Sequence, residues 1–464
     1  MLEGIRRVHF IGIGGIGVSA VARIAIGRGY EVSGSDVRRS QLTDAMQELG
    51  ATVFIGHAPE NLDGVDLVVL STAIPEHNVE RVEAAKRGTA TIHRSELLAG
   101  FISSAPCAIG VTGTHGKGTT SAMITCLLDA GEREPGFIIG GILNNYGLNA
   151  RYGAGTVLVA EVDESDGSHR NVPVHHLVCN FLEADHLNYY RDLDDIITTM
   201  ADAVISYPAL DALYVNADCD GNRRLIDIVG DRRRVVTYGL ESADADYRAE
   251  IVSGPGLPIR FNASRHGEPL GVFELPIPGR YNVVNAMGAI AVCDRLGVPV
   301  EAMQRGMAGF LGLENRFTIR EADGVFIVKD YNSHPTAMRH VLQNARELGD
   351  GRIISVFKPY RYTLMNYLRD EYATAFVGSD EVVITTMYAA NEDPIPGVST
   401  ESFVEMLREG GQRVTWLEDQ DTVTDHLEAG VRPGDVVLFF GGDDFFRMAD
   451  AWAARRDEAA ARRR

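Results

Sequence analysis

Cysteine is scarce in this 464-residue sequence, and the five that occur stand alone at 107, 126, 179, 219 and 293. With no Cys-x-x-Cys pair, neither a zinc ribbon nor a disulfide framework is on offer, which fits a reducing compartment. Positive charge is also short: 44 Lys and Arg stand against 64 Asp and Glu, a formal net charge of −20. Phosphate backbones and anionic membrane surfaces need a basic face, so nucleic acid and membrane are excluded as general partners. A local basic pocket for a small phosphorylated substrate is not excluded. No apolar run reaches the roughly 20 residues that span a bilayer. The first residues run straight into a strand and a glycine loop, without the charged-then-apolar pattern of a secretion signal. No repeat of solenoid length is present. The expectation is a cytoplasmic globular protein, monomer or homodimer.

What the chain does contain is strand and helix in alternation. One core rarely grows to this length, so roughly two to four domains are expected. Short apolar runs bounded by turn residues read as buried parallel strands: 8–13, 67–70, 107–111, 157–159, 353–357, 381–384 and 435–440. Helical stretches fall between them, at 19–28, 119–130, 283–296 and 336–348. The fold class predicted is α/β in three domains, at 1–104, 105–318 and 319–464. The first and last are Rossmann-like, and the central one is of P-loop type with a mostly parallel sheet. Segment 243–278 reads as short strands and turns, a β-rich edge to the central domain. Val325–Lys329 is the expected first strand of the third. The Ala/Arg-rich tail at 452–464 reads as a helix or frayed end without function.

Two glycine loops carry the chemistry. Gly12-Ile13-Gly14-Gly15-Ile16-Gly17 follows a strand, precedes a helix and fits G-x-G-x-x-G. Its glycines permit a tight turn and close approach of backbone N–H groups to a diphosphate at a helix N-terminus. Asp36, at the end of the next strand, offers a carboxylate to a ribose hydroxyl. The motif does not separate NAD from a UDP-sugar. The second loop is Gly113-Thr114-His115-Gly116-Lys117-Gly118-Thr119-Thr120. Here Lys117 gives a point charge for β- and γ-phosphates cradled by backbone N–H groups. The residue after such a lysine normally gives a hydroxyl to Mg²⁺; in its place stands Gly118, so Thr119, Thr120 or water must substitute. A dehydrogenase needs only the first loop and a simple NTPase only the second. A ligase that activates a phosphorylated substrate with ATP uses both.

Past the strand at 157–159, Glu161, Asp163, Glu164 and Asp166 stand where an α/β sheet presents metal ligands. Glu161 is the expected Mg²⁺ ligand. After Leu177–Asn180 comes Glu183-Ala184-Asp185-His186, in which His186 could take a divalent ion or orient a phosphate.

Together these segments resemble the Mur ligases, most closely the branch that adds the first amino acid, alanine, to UDP-N-acetylmuramate in cell-wall synthesis. His9–Ser19 resembles HFIGIGGxGMS, Gly113–Thr120 resembles GTHGKTTT, Glu161–Gly167 resembles EADESDG, and Glu183–Tyr190 resembles EADHLDYY. Pro278–Ala286 resembles PGRHNVLNA, Asn315-Arg316-Phe317 resembles RRF, Asp330–Thr336 resembles DYAHHPT, and Ala389–Ser399 resembles AAREDPIPGVS. Ser71-Thr72-Ala73-Ile74 and His93-Arg94-Ser95-Glu96 match further signatures of the N-terminal domain.

The resemblance implies a UDP-sugar domain, an ATP domain and a C-terminal amino-acid domain, with ATP and Mg²⁺ as cofactors. It implies an acyl phosphate that an amine attacks. Gly14, Gly15, Ile16, Gly17, Asp36, Ser71, Thr72 and Ala73 would hold the nucleotide sugar. The second loop from Gly113 to Thr120 would hold ATP, with Asn282 and Asn285 on the adenine, Asp330 on the ribose and Arg316 on phosphate oxygens. Glu161, Thr119 and His186 would hold metal. Lys117, His186, Arg316, His334 and Arg361 would be catalytic. No lysine occurs between His186 and Ile205, as in the alanine-adding branch.

The departures cluster. Gly118 stands for Thr, Tyr281 for His, Ser333 for the first His of DYAHHPT, and Tyr360 and Leu364 for the His and last Arg of QPHRY[ST]R, with Arg361 kept. Gly441-Gly442-Asp443-Asp444 stands for GAGD. Loss of an Arg removes a bidentate carboxylate clamp. Two readings follow: drift within an alanine-adding enzyme, or a different amine or acid, as in specialised metabolism or peptide recycling. From other classes, a dinucleotide dehydrogenase explains the first loop but leaves Lys117 and Glu161 idle. A catalytically silent nucleotide-binding paralogue is permitted by Gly118 and opposed by the retained Lys117, Glu161, His186, Arg316 and Asp330.

Overall fold

The apolar runs pair into three separate sheets in the computed structural model, which describes residues 4–463 apart from 166, 188, 254–255 and 390–391. Asp166, the Gly254-Pro255 turn and Ala390-Asn391 of the C-terminal motif therefore lie outside the described residues.

The first sheet comprises β1 (Arg7–Ile11), β2 (Glu31–Asp36), β3 (Thr52–Ile55), β4 (Leu67–Leu70) and β5 (Ala90–His93). All pairings are parallel, in the order β3-β2-β1-β4-β5. Leu-Val-Val-Leu of β4 is buried at every position because helices cover both faces. The strand order reverses between β1 and β4, so their carboxyl ends open the crevice where such sheets bind ligands.

The middle sheet has ten strands: β6 (Cys107–Thr112), β7 (Gly136–Leu143), β8 (Leu148–Arg151), β9 (Val157–Glu161), β10 (His176–Cys179), β11 (Ala212–Asn216), β12 (Val235–Gly239), β13 (Tyr247–Ile251), β14 (Ile259–Arg265) and β15 (Glu268–Leu275). Its order is β15-β14-β13-β12-β11-β10-β6-β9-β7-β8, parallel at the centre and antiparallel towards both edges. The β-rich segment expected at 243–278 is the ladder β13-β14-β15. Helix Lys117–Ala130 is buried without break from Thr120 to Leu128. An all-round apolar helix of this kind belongs inside a protein, and it packs in one core with helix Arg280–Arg295.

The third sheet comprises β16 (Thr318–Ala322), β17 (Val325–Asp330), β18 (Ile353–Phe357), β19 (Glu381–Ile384), β20 (Val414–Trp416) and β21 (Val436–Phe440), in the order β16-β17-β21-β18-β19-β20. The strand expected to come first in this unit is its second. β16 runs antiparallel beside it, and its mostly exposed Thr-Ile-Arg-Glu-Ala carries no apolar alternation to reveal it. The tail is not frayed: it belongs to helix Asp443–Arg463, in which Trp452 is buried and Arg456 pairs with Glu428 at 2.7 Å. Among the described residues, no helix is long and apolar enough to cross a membrane.

Candidate active site

Left-handed glycines shape the loop that opens the middle sheet's buried helix. At Gly116, φ is +82°, and a Cβ there would stand 2.5 Å from Asn285 Oδ1; at Gly113, φ is +117°, and a Cβ would stand 2.7 Å from the Phe181 carbonyl. No larger residue fits either position. Lys117 begins the helix, and its Nζ donates to the Gly113 carbonyl at 2.9 Å and to Glu164 Oε1 at 2.8 Å. Glu164 also accepts from the Thr112 hydroxyl at 3.3 Å, and His186 Nε2 stands 3.6 Å from it. Burial alone would raise the Glu164 carboxyl, but Lys117 and His186 hold it at about 2. Burial would lower the Lys117 ammonium, but the Glu164, Asp163 and Glu161 carboxylates raise it. The loop lysine is thus neutralised by carboxylates of its own domain.

A cavity lies over this loop between the middle and third sheets. The loop contributes Thr114, His115, Gly116, Lys117 and Thr119, and the strand ends add Glu161. Asn282 and Asn285 wall one side, Arg316 and Asp330 another. Ten of the residues singled out in the sequence thereby meet in one place. Gly113 and Thr120 support it from behind: Gly113 accepts from Lys117, and the buried Thr120 hydroxyl accepts from Asn180 at 2.9 Å. Asn285 donates to Asn282 at 3.1 Å, while its own Oδ1 is buried without a protein partner. Glu161 Oε2 accepts from the Gly140 N–H at 2.8 Å.

The third unit brings in its residues under constraint. Arg316 lies between Asn315 at φ 58° and Phe317 at φ 48°, a left-handed backbone that non-glycine residues rarely adopt. The Phe317 N–H donates to Asp330 Oδ2 at 2.9 Å, and the Tyr331 N–H to the Asn315 carbonyl at 3.0 Å. The Arg316 guanidinium donates to Asn332 Oδ1 at 3.0 Å. Burial pushes the Asp330 carboxyl up, opposed by Arg316 and by the backbone N–H groups of Asn332, which donates to its Oδ1 at 2.9 Å, and of Phe317. Sequence reasoning did not assign Glu183, Thr336 or His340 to this cavity, yet all three line it. Tyr281, noted only as a departure, stacks on His340 with ring centres 5.3 Å apart and planes 13° apart.

The remaining catalytic candidates lie outside the lining of this cavity. His186, at φ 54°, stands behind Lys117 against Glu164. His334 is buried against His115, ring centres 4.6 Å apart. Burial first, then the charge of His115, lowers its pKa to about 4. Arg361 adopts φ 64° and caps helix Tyr362–Tyr367. Its N–H donates to the Tyr388 carbonyl at 3.0 Å, and its guanidinium lies 5.1 Å over the Tyr360 ring, which itself stacks on Tyr388. Leu364, where the family pattern has Arg, is half-buried and packs against the edge of the third unit's core. Ser333 offers its backbone carbonyl to the Tyr372 hydroxyl.

The first sheet forms a second locus. Gly14, Gly15, Ile16 and Gly17 lead into helix Ile16–Gly27, whose N-cap is Gly15. Asp36 stands at the end of β2 as expected, but its Oδ2 accepts from the Gly14 N–H at 2.9 Å and braces the loop. Ser71, Thr72 and Ala73 turn at the end of β4, closed by Ile74 N–H to the Ser71 carbonyl at 3.1 Å. Arg94 was not assigned from sequence; its guanidinium carbon lies 3.4 Å from where a Gly17 Cβ would be, at the start of that helix. From the middle sheet, Asn149 donates to the Ile16 carbonyl at 2.7 Å and the Ser19 hydroxyl at 3.0 Å, joining the two units at the glycine loop.

Comparison with known proteins follows this division. A model of the Mur ligase family catalytic domain matches residues 7–105, one of the Mur ligase middle domain 111–293, and one of the Mur ligase glutamate ligase domain 315–442. A UDP-N-acetylmuramate–L-alanine ligase of Geobacter sp. (strain M21) is 39% identical over 459 residues, covering 98% of each chain. The crystal structure of UDP-N-acetylmuramate–alanine ligase from Thermotoga maritima superposes with a TM-score of 0.82 at 26% identity, over 98% of this chain and 99% of that one. A murein peptide ligase from Psychrobacter arcticus shares the fold, with a TM-score of 0.73 at 20% identity, over 98% of this chain and 99% of that one. Three matched domains in order and near-complete coverage of curated relatives establish that the chain belongs to the Mur ligase family.

Proposed function

We propose that this chain is a cytoplasmic, ADP-forming ligase that joins L-alanine to UDP-N-acetylmuramate in cell-wall precursor synthesis. The observation that carries this reading is Lys117, whose loop faces a cavity shared with Arg316 and Asp330 of another sheet. The relatives matched over almost the whole chain bear that activity in their names. Nothing in the comparisons favours a different acid or amine, a silent paralogue or a dehydrogenase. The packing of the half-buried Leu364 against the third unit's core supports drift at that position.

The reaction has two steps. A carboxylate oxygen attacks the γ-phosphorus of ATP, the bond to the β-phosphate oxygen breaks, and an acyl phosphate and ADP form. The amine nitrogen then attacks the acyl carbon, phosphate leaves with the bonding pair, and the nitrogen loses a proton. In this reading the N–H groups at the start of helix Lys117–Ala130 cradle the phosphates, and Lys117 exchanges Glu164 for them. Asn282 and Asn285 hold the base, Asp330 the ribose, and the Arg316 fork grips phosphate oxygens. The first-sheet loop, with Ser71, Thr72 and Ala73, holds the nucleotide-sugar diphosphate. His334 and Arg361 orient the reacting carboxylate and amine.

The residues suit Mg²⁺: Glu161 has one oxygen fixed by Gly140 and lines the cavity beside Thr119. One or two carboxylates with substrate phosphates and water are what that ion takes. Glu161 and Thr119 would hold it, with His186 as a further ligand by family resemblance. Bound there, it supplies charge neutralisation to the phosphate oxygens.

The test is Lys117→Ala, assayed for ADP release and amide formation with UDP-N-acetylmuramate, ATP and each amino acid in turn. Turnover is expected to fall by about 10²-fold or more, the scale for removing one charge-stabilising group, with L-alanine the preferred amine of the unmodified enzyme. Undiminished turnover in the variant, or preference for another amine, overturns the assignment.

A further inference from the structure

His115, Glu183 and His334 form a cluster that the reaction scheme leaves without a shared task. Each offers one ligand atom, and the three atoms lie within 4.8 Å of one another. His115 Nε2 stands 3.1 Å from Glu183 Oε2. His334 Nε2 faces the Ala184 carbonyl at 3.4 Å, and its Nδ1 is buried without a protein partner. A ring held through one nitrogen by a backbone carbonyl, with the other nitrogen free, is how proteins prepare a histidine for a metal. The cluster also spans domains. His115 belongs to the nucleotide loop, Glu183 follows β10, and His334 is the N-cap of helix Pro335–Ala345 in the third unit.

We propose that His115, Glu183 and His334 bind a divalent transition-metal cation of the Zn²⁺ class that staples the third unit onto the nucleotide loop. Two imidazoles and one carboxylate favour such an ion over Mg²⁺, which prefers oxygen. Ligand distances of about 2.1 Å require the three side chains to draw together by about an ångström. The fourth position is left to water. Because the ligands come from both sides of the cavity, an occupied site holds those sides together. The site shares no ligand with the Glu161 locus, although His115 and Glu183 line the same cavity, and its binding is read without substrate, so the outcome is distinguishable from failure of the ligase reading.

The experiment is a Zn²⁺ titration by calorimetry of the full chain in excess Mg²⁺ without nucleotide, for the unmodified protein and for His334→Gln, Glu183→Gln and His186→Gln. Limited proteolysis of the segment around Asn315 is followed in parallel, and circular dichroism verifies folding. One equivalent is expected to bind, weakened about 10–100-fold by either of the first two substitutions and unchanged by His186→Gln. Zn²⁺ is also expected to slow cleavage in the unmodified protein but not in His334→Gln. Should either cluster variant fail to fold, the other decides. Absence of binding, affinity indifferent to both cluster substitutions, or affinity lost with His186→Gln overturns the proposal.

Discussion

The pairing of Lys117 with Glu164 makes a prediction about stability that nucleotide should reverse. Glu164→Gln keeps the shape of the side chain and its capacity to accept from Thr112, but removes the charge. The Glu164 side chain is 3% exposed and that of Lys117 13% exposed, so the ammonium loses its principal counter-charge in a largely dry place. Breaking a buried pair from one side typically costs about 3–5 kcal/mol. A second route gives a similar scale. The carboxyl is held at about 2 instead of its ordinary 4.5, which at about 1.4 kcal/mol per pH unit is about 3 kcal/mol. Asp163 and Glu161 still attract the ammonium, so the lower end applies. For a domain of this size that is a fall in melting temperature of about 6–12 °C. Phosphate oxygens are a substitute counter-charge, so saturating ATP should narrow the gap. The assay is thermal and urea unfolding in EDTA, with and without ATP. The pH dependence has a definite sign: a depressed carboxyl stabilises above pH 4.5 and loses that contribution as pH falls towards 2, a limb the variant lacks. If Glu164→Gln melts with the unmodified protein when free of nucleotide, or if ATP leaves the gap unchanged, the reasoning fails.

Other substitutions probe the loops. Gly116→Ala places a Cβ 2.5 Å from Asn285 Oδ1 at φ +82°; left-handed strain of about 1–2 kcal/mol and overpacking of about 1–3 kcal/mol should weaken ATP by about a hundredfold, read by calorimetry. Gly118→Thr restores a hydroxyl beside Glu161, whose Oε2 would lie 3.3 Å from the new Cβ. It should lower the half-saturating Mg²⁺ about tenfold in the coupled assay. In the first unit, burial would raise the Glu80 carboxyl, but His9, Ser35 and Asn61 hold it at about 2. Its stabilisation is present above pH 4.5 and lost as pH falls towards 2. Glu80→Gln should flatten that acid limb in pH-dependent urea unfolding of the first unit.

Much of this arrangement was legible in the sequence because it depends on local rules. Glycines at 113 and 116 announce a backbone that nothing larger tolerates, and Leu-Val-Val-Leu of β4 announces a strand covered on both faces. What escaped depends on long-range orientation. β16 was missed because an exposed edge strand needs no apolar face. Asp36 stands at the end of β2 as the spacing predicts, but that its Oδ2 also braces the loop through the Gly14 N–H is something spacing along the chain cannot reveal. Leu364 reads as a lost clamp in the sequence, and only the fold shows that the side chain is half-buried against the third unit's core. Lys117 and Glu164 come from different elements, and only the register of β6 against β9 brings them together.

The pair of left-handed residues flanking Arg316 acts as a loaded spring. Each such conformation costs of order 1–3 kcal/mol, and the strain is held by two clips, Phe317 to Asp330 and Tyr331 to Asn315. The backbone that carries the guanidinium is thereby fastened to the carboxylate next door, and Asn332 Oδ1 holds the guanidinium itself. Those clips set the Arg316 backbone in place relative to Asp330 on the cavity wall before anything enters it.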